Sequence, residues 1–196
     1  GDPNGLMGGF QLWANLPASH KMMEPRYRDI ISTNIPEVVL DNGTKIKVIS
    51  GRFGDMQGPV QDIVIDPEYF DINVSARSEY IHPTKRGHTV FAYVIEGKGY
   101  FCKEKHPFSY DIEGVNYFDM QRDPFIGNET LILFDDGDQV VVSTEADPVR
   151  FLLISAGKPI GEPIAWYGPI VMNTQDELRI AFEEYRNGTF IRHKRR

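Results

Sequence analysis

The sequence predicts a mostly β fold, either a sandwich or a closed barrel, with one helix at the C-terminal end. Two observations support this prediction. From Ile35 onward, short apolar segments of strand-like composition recur, and Gly, Pro, Asn or Asp separates many of them. After these segments, residues 174–187 show apolar side chains at the spacing of a helix.

Eight strands are expected between residues 45 and 156. They cover residues 45–50, 60–65, 70–74, 89–96, 99–103, 130–134, 139–143 and 149–156. Within this region, residues 94–101 read as a hairpin because Gly97 and Gly99 stand at its turn. Residues 135–138 read as a second tight turn that leads into a strand.

The helix is the clearest single element of the sequence. Asn173 or Thr174 can cap its first turn, and Gly188 is expected to end it. One face carries four apolar residues at helical spacing: Leu178, Ala181, Phe182 and Tyr185. We expect this helix to bury that face and to have a structural role.

The N-terminal segment alternates with the period of a strand between residues 9 and 17. Aliphatic and aromatic residues at even positions face one way, and Gln11, Trp13 and Asn15 face the other. Residues 22–28 are expected to form a linker, because Pro17 and Pro25 prevent a continuous helix.

Composition indicates an ordinary globular chain. Of its 196 residues, 41% are hydrophobic and 25% are charged, which is the range of folded proteins. No apolar run approaches the roughly 18 residues of a membrane span. A net charge of −7 argues against direct nucleic-acid binding, and the single cysteine, Cys102, excludes an internal disulfide. These features predict a cytoplasmic protein without a membrane partner.

Three separated motifs give the chain a resemblance to the pirin family of cupin proteins. They are GKPIGEPIAWYGPIVMNT at residues 157–174, QLWANLP at residues 11–17 and KMMEPRY at residues 21–27. The resemblance covers residues 9–190. It implies a cupin-type β-barrel or jelly roll with one C-terminal helix.

The family resemblance also implies a domain organisation. Pirins have an N-terminal cupin that binds iron through His-x-His and His-x-Glu segments, and a C-terminal cupin that is usually without metal. Residues 1–28 are expected to be the last strand of the first cupin plus the linker. Residues 29–196 are expected to form the C-terminal cupin, closed by the helix at about 174–187. The chain is expected to begin after the iron ligands, so Fe(II) is implied for the parent protein and no cofactor for this chain.

The ligand positions of a cupin metal site can be sought in the second barrel as well. Counted from the turns at Gly97 and Gly137, they fall near Thr84, Arg86, Val90 and Val140. None of these side chains binds iron, so no metal and no catalytic residue is expected in this barrel. A weaker alternative is an irregular site formed by His82 and His88 with Glu79, Glu96, Cys102 or His106. Histidines beside Pro and Gly on a loop are more often solvent-facing or bonded to the backbone.

For two further segments, the sequence leaves two possible roles open. Gln11 and Trp13 either pack in a core or line the cavity of the absent first barrel. Residues 104–129, longer than expected in a pirin, either cover one barrel end or make a protein contact. The expected partners are the missing N-terminal cupin or a second copy, bound through residues 9–17.

Two classes of function follow from the resemblance. In the first, the parent protein is an iron-dependent oxidoreductase of the quercetin 2,3-dioxygenase type, and this chain lacks a complete active site. In the second, the protein is a non-catalytic regulatory module that binds other proteins, since pirins are also associated with transcription-factor partners. Fold similarity does not choose between them.

Overall fold

The computed structural model describes residues 5, 8–104, 111 and 123–192, which form twelve strands and one α-helix. The strands are β1 (Glu37–Val39), β2 (Lys45–Ser50), β3 (Arg52–Phe53), β4 (Met56–Gln57), β5 (Glu68–Val74), β6 (Glu79–Pro83), β7 (Val90–Gly97), β8 (Leu131–Leu133), β9 (Gln139–Ser143), β10 (Val149–Ser155), β11 (Ala165–Tyr167) and β12 (Ile170–Met172). Helix α1 spans Gln175–Arg186. The prediction of a mostly β fold with one C-terminal helix is confirmed.

The chain divides into two compact units. Residues 28–159 form the larger one, which we call the sandwich unit. Residues 1–27 and 160–196 form the other, which we call the terminal unit. The C-terminal segment with its helix thus belongs to the same unit as the N-terminal residues. The division into residues 1–28 and 29–196 stays a prediction.

The sandwich unit is built from two antiparallel sheets that face each other. The larger sheet has the strand order β1-β2-β5-β10-β7-β8, and the smaller one pairs β6 with β9. Its core lies between the sheets, where both contribute fully buried side chains such as Phe70, Tyr80, Val142 and Phe151. Alternate residues of a strand point to opposite faces, which explains the alternating burial along β2. The sheets do not close into a barrel.

The predicted hairpin at residues 94–101 is wrong. Its first half belongs to β7 in the larger sheet, whereas Tyr100 pairs with Ser143 of β9 in the smaller sheet. Gly97 makes the change of direction, with φ at 76°. A Cβ atom there would lie 2.0 Å from the carbonyl oxygen of Pro148, so the close passage of the two chain segments requires glycine.

Three other strand predictions fail for local reasons. Residues 60–65 form only an isolated bridge at Val60, because Asp62 adopts a left-handed φ of 58° that interrupts the extended chain. Residues 99–103 form only isolated bridges. Residues 8–17 are not in a strand, because alternation alone is insufficient without a neighbouring strand to pair with.

The terminal unit combines a short hairpin with the helix. Strands β11 and β12 pair antiparallel, and their Ala165 and Ile170 pack against Leu178 and Ala181 of α1. Thr174 caps the helix as predicted: its hydroxyl accepts a hydrogen bond from the Glu177 amide at 3.2 Å. The Glu177 carboxylate accepts one from the Thr174 amide at 2.9 Å, which completes a capping box.

The apolar face of the helix is narrower than predicted. Leu178 and Ala181 are buried and Phe182 is half-buried, but Tyr185 is exposed. With 12 residues, α1 is too short to cross a bilayer, and the described part of the chain contains no other helix that meets the length and apolarity of a membrane span.

Candidate functional site

The two polar positions at which a cupin would place metal ligands are engaged in structural contacts. The Thr84 hydroxyl donates a hydrogen bond to the carbonyl oxygen of Gly137 at 3.1 Å. Arg86 is exposed, and its guanidinium lies 3.3 Å from the carboxylate of Asp138. These contacts join the loop after β6 to the turn before β9, and neither side chain is a metal ligand.

The two apolar positions belong to the core. Val90 is 5% exposed and Val140 is 3% exposed, and both pack in the main hydrophobic cluster of the sandwich unit. Such side chains supply no donor atom to a metal ion. The four positions therefore do not fit an iron site of the cupin type.

Within the described residues, the interior of the sandwich unit nevertheless contains one imidazole. His82 lies on β6, directly opposite Val140 of β9, and is only 4% exposed. The expectation of a solvent-facing loop histidine is wrong for this residue. Tyr80 and His82 stand two positions apart on a strand, so both side chains point to the same inner face.

Both ring nitrogens of His82 face protein groups. Nδ1 lies 3.0 Å from the Tyr80 hydroxyl, and Nε2 lies 3.8 Å from a carboxylate oxygen of Glu68 on β5. The nearby His82 imidazole lowers the pKa of Glu68, although partial burial acts in the opposite direction. Burial raises the pKa of Tyr80, and the nearby Glu68 charge adds to this rise. We call these three residues the interior triad.

Two phenylalanine rings enclose the imidazole. The Phe53 ring is stacked on it, with centroids 6.2 Å apart and planes inclined by 17°. Phe70 packs at 5.0 Å with a tilt of 59°. The triad is thus a row of three polar side chains in an otherwise apolar interior. Of the three, only Glu68 reaches solvent, with a side chain that is 23% exposed.

The structure does not gather the residues of the alternative metal site. His88 is half-buried, with Nδ1 3.5 Å from the Ser155 hydroxyl. Glu96 is exposed near the opposite end of β7, paired in register with Arg150. His106 lies outside the described residues. Within the described ranges, no group of three or more His, Cys, Asp or Glu side chains could hold a metal ion.

Sequence reasoning missed Glu68 and Tyr80 as partners of His82. The spacing of Tyr80 and His82 was visible as an i, i+2 pair, but Pro83 and Gly87 favoured a loop interpretation. No sequence pattern indicated Glu68 as a partner, because its proximity to His82 arises from the packing of the two sheets.

The terminal unit contains a groove of about 590 Å³, which we call the terminal groove. Leu12, Trp13 and Leu16 form one wall. The other apolar lining residues are Ala14, Met22, Ile164, Trp166, Pro169, Ile170, Val171, Met172 and Phe190. Trp13 remains 63% exposed, and Gln11 is exposed without lining the groove. The predicted separation of Leu12 from Trp13 onto two faces fails, because this segment is not a strand.

One corner of the terminal groove is polar. The Lys21 ammonium donates to the Asn15 side-chain oxygen at 2.6 Å. Desolvation lowers the pKa of Lys21, and the charges of Glu162 and Glu177 partly oppose this effect. The Glu162 carboxylate accepts hydrogen bonds from the Ala18 amide and from the Asn173 side chain, both at 2.8 Å, and so links the N-terminal residues to the C-terminal segment.

Comparison with known proteins places this geometry in context. A family model described as the pirin C-terminal cupin domain matches residues 69–191. A relative in Thermoplasma acidophilum, named "Putative quercetin 2,3-dioxygenase", is 32% identical over 198 residues, which is 97% of this chain and 68% of the relative. Pirin-1 of Arabidopsis thaliana is 36% identical over 182 residues, covering 91% of this chain and 56% of that protein.

A solved structure supports the same comparison. The crystal structure of quercetin 2,3-dioxygenase from Acinetobacter baumannii matches with a TM-score of 0.71 and 26% identity. The match covers 91% of this chain and 55% of that one. The chain spans between 55% and 68% of the length of these three proteins.

Proposed function

Because this chain belongs to the pirin family of cupin proteins, we propose that the full-length protein is an iron-dependent oxidoreductase of the quercetin 2,3-dioxygenase type. In this proposal, the chain is the metal-free C-terminal cupin part and has no complete active site. Support for the activity comes from the names of relatives and from the structural match. The comparisons do not favour the alternative of a non-catalytic regulatory module.

One observation carries the metal-free assignment. Where a cupin places its ligands, the sandwich unit has Thr84 and Arg86 in structural contacts and Val90 and Val140 in the core. His82 does not replace them, because its two ring nitrogens already face Tyr80 and Glu68. The iron of the full-length protein would then be held by residues outside this chain.

Metal analysis tests this assignment directly. The purified chain, incubated with Fe(II) and then desalted, is expected to retain iron, nickel or copper far below one equivalent. The matched variants His82→Gln and His88→Gln should give the same low content. A content near one metal per chain that disappears with His82→Gln would contradict the assignment.

Activity provides a second test. Quercetin mixed with the chain and Fe(II) should consume oxygen no faster than quercetin with Fe(II) alone. Reading the coding sequence upstream of Gly1 for His-x-His and His-x-Glu segments checks the assignment of iron to the other part of the protein. Oxygen uptake by the isolated chain above the metal-only control would place the activity in this chain instead.

We also propose that the terminal groove binds the N-terminal cupin domain of the full-length protein. The groove is lined mainly by apolar side chains, and among them Trp13, Ile164 and Trp166 are each more than half exposed. The chain also spans little more than half of Pirin-1, so the family members have further residues that could cover this surface. Burying each such side chain contributes roughly 1.5 to 3 kcal/mol, so three of them would stabilise an interface by several kcal/mol.

In the isolated chain, the uncovered groove is expected to cause self-association. Sedimentation should show a concentration-dependent dimer, and deletion of residues 1–20 or the change Leu12→Asp should give a monomer. Leu133→Asp is the matched control, because Leu133 is an exposed leucine on β8, in the other unit. If the native and truncated chains both sediment as the same monomer, this surface is not an association site.

A further inference from the structure

The larger sheet has an open edge at β8, which pairs with β7 and with no other strand of the described chain. On either side of β8, the Thr130 carbonyl oxygen accepts a hydrogen bond from a β7 amide and the Phe134 amide donates one to a β7 carbonyl oxygen, both at 3.0 Å. Every second residue of an antiparallel strand bonds to the same neighbour. The backbone N–H and C=O groups of Leu131 and Leu133 are therefore directed away from β7, towards the open side.

The side chains of this edge are also available for contact. Leu131 is 63% exposed and Leu133 is 72% exposed, whereas Ile132 between them packs against the main core. Leu131 stands beside Tyr93 of β7 and Leu133 beside Phe91, and both of these rings are half-buried. Edge strands are commonly protected from pairing by charged side chains or proline, and β8 contains neither. It therefore combines unpaired backbone groups with an apolar outer face.

Carboxylates stand at both ends of β8. Glu129 precedes the strand and Asp135 follows it; both are exposed, and neither forms an ion pair with another described residue. Asp136 and Asp138 lie further along, but Arg86 is within 3.9 Å of the first and 3.3 Å of the second. A second copy of this chain, paired antiparallel at β8, would bring its own carboxylates against these. Because like charges in close proximity oppose association, the edge favours a basic partner over a second copy.

We propose that β8 binds an extended segment of a partner protein by strand addition, and that this segment has two apolar side chains flanked on both sides by Lys or Arg. The segment becomes a seventh strand of the larger sheet, beyond β8. Its backbone exchanges hydrogen bonds with Leu131 and Leu133. This surface belongs to the sandwich unit, so the proposal does not depend on the terminal groove.

The geometry of an antiparallel pair specifies the pattern of the bound segment. Residues opposite Leu131 and Leu133 are two positions apart, and their side chains lie on the same face as the two leucines, so these positions should be apolar. The basic positions fall near Glu129 and Asp135, six residues apart, which is about 20 Å along a strand. Backbone hydrogen bonds supply affinity in this mode of recognition, and the side chains supply specificity.

NMR titration of the intact chain with a synthetic peptide tests the proposal. The probe is Lys-Thr-Val-Thr-Val-Thr-Lys, acetylated and amidated at its ends, which places its valines opposite the leucines and its lysines near the carboxylates. We expect saturable shifts at the amides of Leu131 and Leu133. Raising the salt concentration should weaken binding, because the exposed charges are then screened.

Two control peptides separate the contributions to binding. N-methylation of both valines removes the backbone donors that face β8 but keeps the side chains and the charges. Replacement of both lysines by Glu reverses the charges but keeps the backbone. Each control should bind at least about tenfold more weakly than the probe, the combined effect of two hydrogen bonds or of two reversed surface charges.

Variants of the chain test the same contacts from the other side. Leu133→Pro removes an outward N–H without touching the bonds to β7, and it should abolish binding. Val39→Pro is the matched control, because Val39 is 59% exposed on β1 at the opposite edge of the sheet. Its amide also points outward, since the adjacent Leu40 amide bonds back to Thr44. Glu129→Gln with Asp135→Asn should remove most of the preference for the basic peptide.

Each outcome supports or overturns the proposal. Absence of saturable shifts with the probe up to about 1 mM would overturn it, and so would shifts confined to the terminal unit. Equal binding of the N-methylated peptide would exclude strand addition, and equal binding of the acidic peptide would exclude the charge preference. If Leu133→Pro does not fold, the N-methylated peptide decides, because it leaves the chain unchanged. Leu12→Asp, which tests the terminal groove, should bind the probe normally.

Discussion

Removing a single oxygen atom from Tyr80 tests whether the interior triad stabilises the sandwich unit. Tyr80 is 2% exposed, and its hydroxyl lies 3.0 Å from Nδ1 of His82. Because burial raises the pKa of Tyr80, the hydroxyl keeps its hydrogen near neutral pH and can donate it. The change Tyr80→Phe keeps the ring in the core but leaves the His82 nitrogen without this donor.

The expected loss can be estimated from the cost of an unsatisfied buried polar atom. Leaving Nδ1 without its partner should reduce the free energy of unfolding by about 1 to 3 kcal/mol. For a chain of this size, each kcal/mol corresponds to a fall in Tm of roughly 2 to 4 °C. Urea denaturation followed by circular dichroism should show a lower midpoint at an unchanged slope.

Tyr69→Phe is the matched control for this experiment. Tyr69 is half-buried on β5 and loses the same atom outside the triad. If Tyr80→Phe costs no more than Tyr69→Phe, to within about 0.5 kcal/mol, the hydrogen bond to His82 contributes nothing to stability and the reasoning fails.

Three further changes have defined outcomes. Because the pKa of Glu68 is lower in the folded chain than in the unfolded one, its carboxylate stabilises the fold above the unfolded pKa. This contribution is lost as the pH falls through the folded pKa. When the pH is lowered from about 6 to about 3, the denaturation midpoint should therefore fall less in Glu68→Gln than in the native chain. Thr174→Ala should lower the free energy of unfolding, measured by thermal unfolding, by about 1 kcal/mol because it removes the helix cap. Thr174→Ser keeps a capping hydroxyl and should retain most of this stability. Gly97→Ala should destabilise the chain strongly, because its Cβ would meet the Pro148 carbonyl at 2.0 Å. Gly87 has the same φ of 76° but open space around it, so Gly87→Ala should cost only about 1 kcal/mol. Similar losses of stability in the two variants would contradict the steric explanation.

Short-range sequence patterns predicted two strands and the helix cap correctly, because these features depend on residues close together in the chain. Residues 45–50 and 139–143 were predicted as strands with their observed bounds, because alternating or continuous apolar residues there end at clear turn signals. The helix cap at Thr174 was also predictable, since the capping residue and Glu177 are three positions apart in the sequence.

Pairing between distant strands was not predictable in the same way. Strand β6 was missed because Pro83 and Gly87 suggested a loop, and nothing in residues 79–83 reveals their partner at residues 139–143. The turn at Gly97 has the composition of a hairpin, but its neighbours join different sheets. Glycine identifies a change of direction without specifying which strand comes next.

The burial of His82 follows from that missed pairing and changes how the interior must be understood. An apolar core opposite Val140 would have needed no imidazole, and a metal site would have needed further ligands on the strands that hold Val90 and Val140. Among the residues that the structure describes, the one buried histidine lies between a phenol and a carboxylate: Nδ1 is 3.0 Å from the Tyr80 hydroxyl and Nε2 is 3.8 Å from a Glu68 oxygen. Because a buried polar group without a partner is costly, Glu68 and Tyr80 offset part of the cost of placing the imidazole between the sheets.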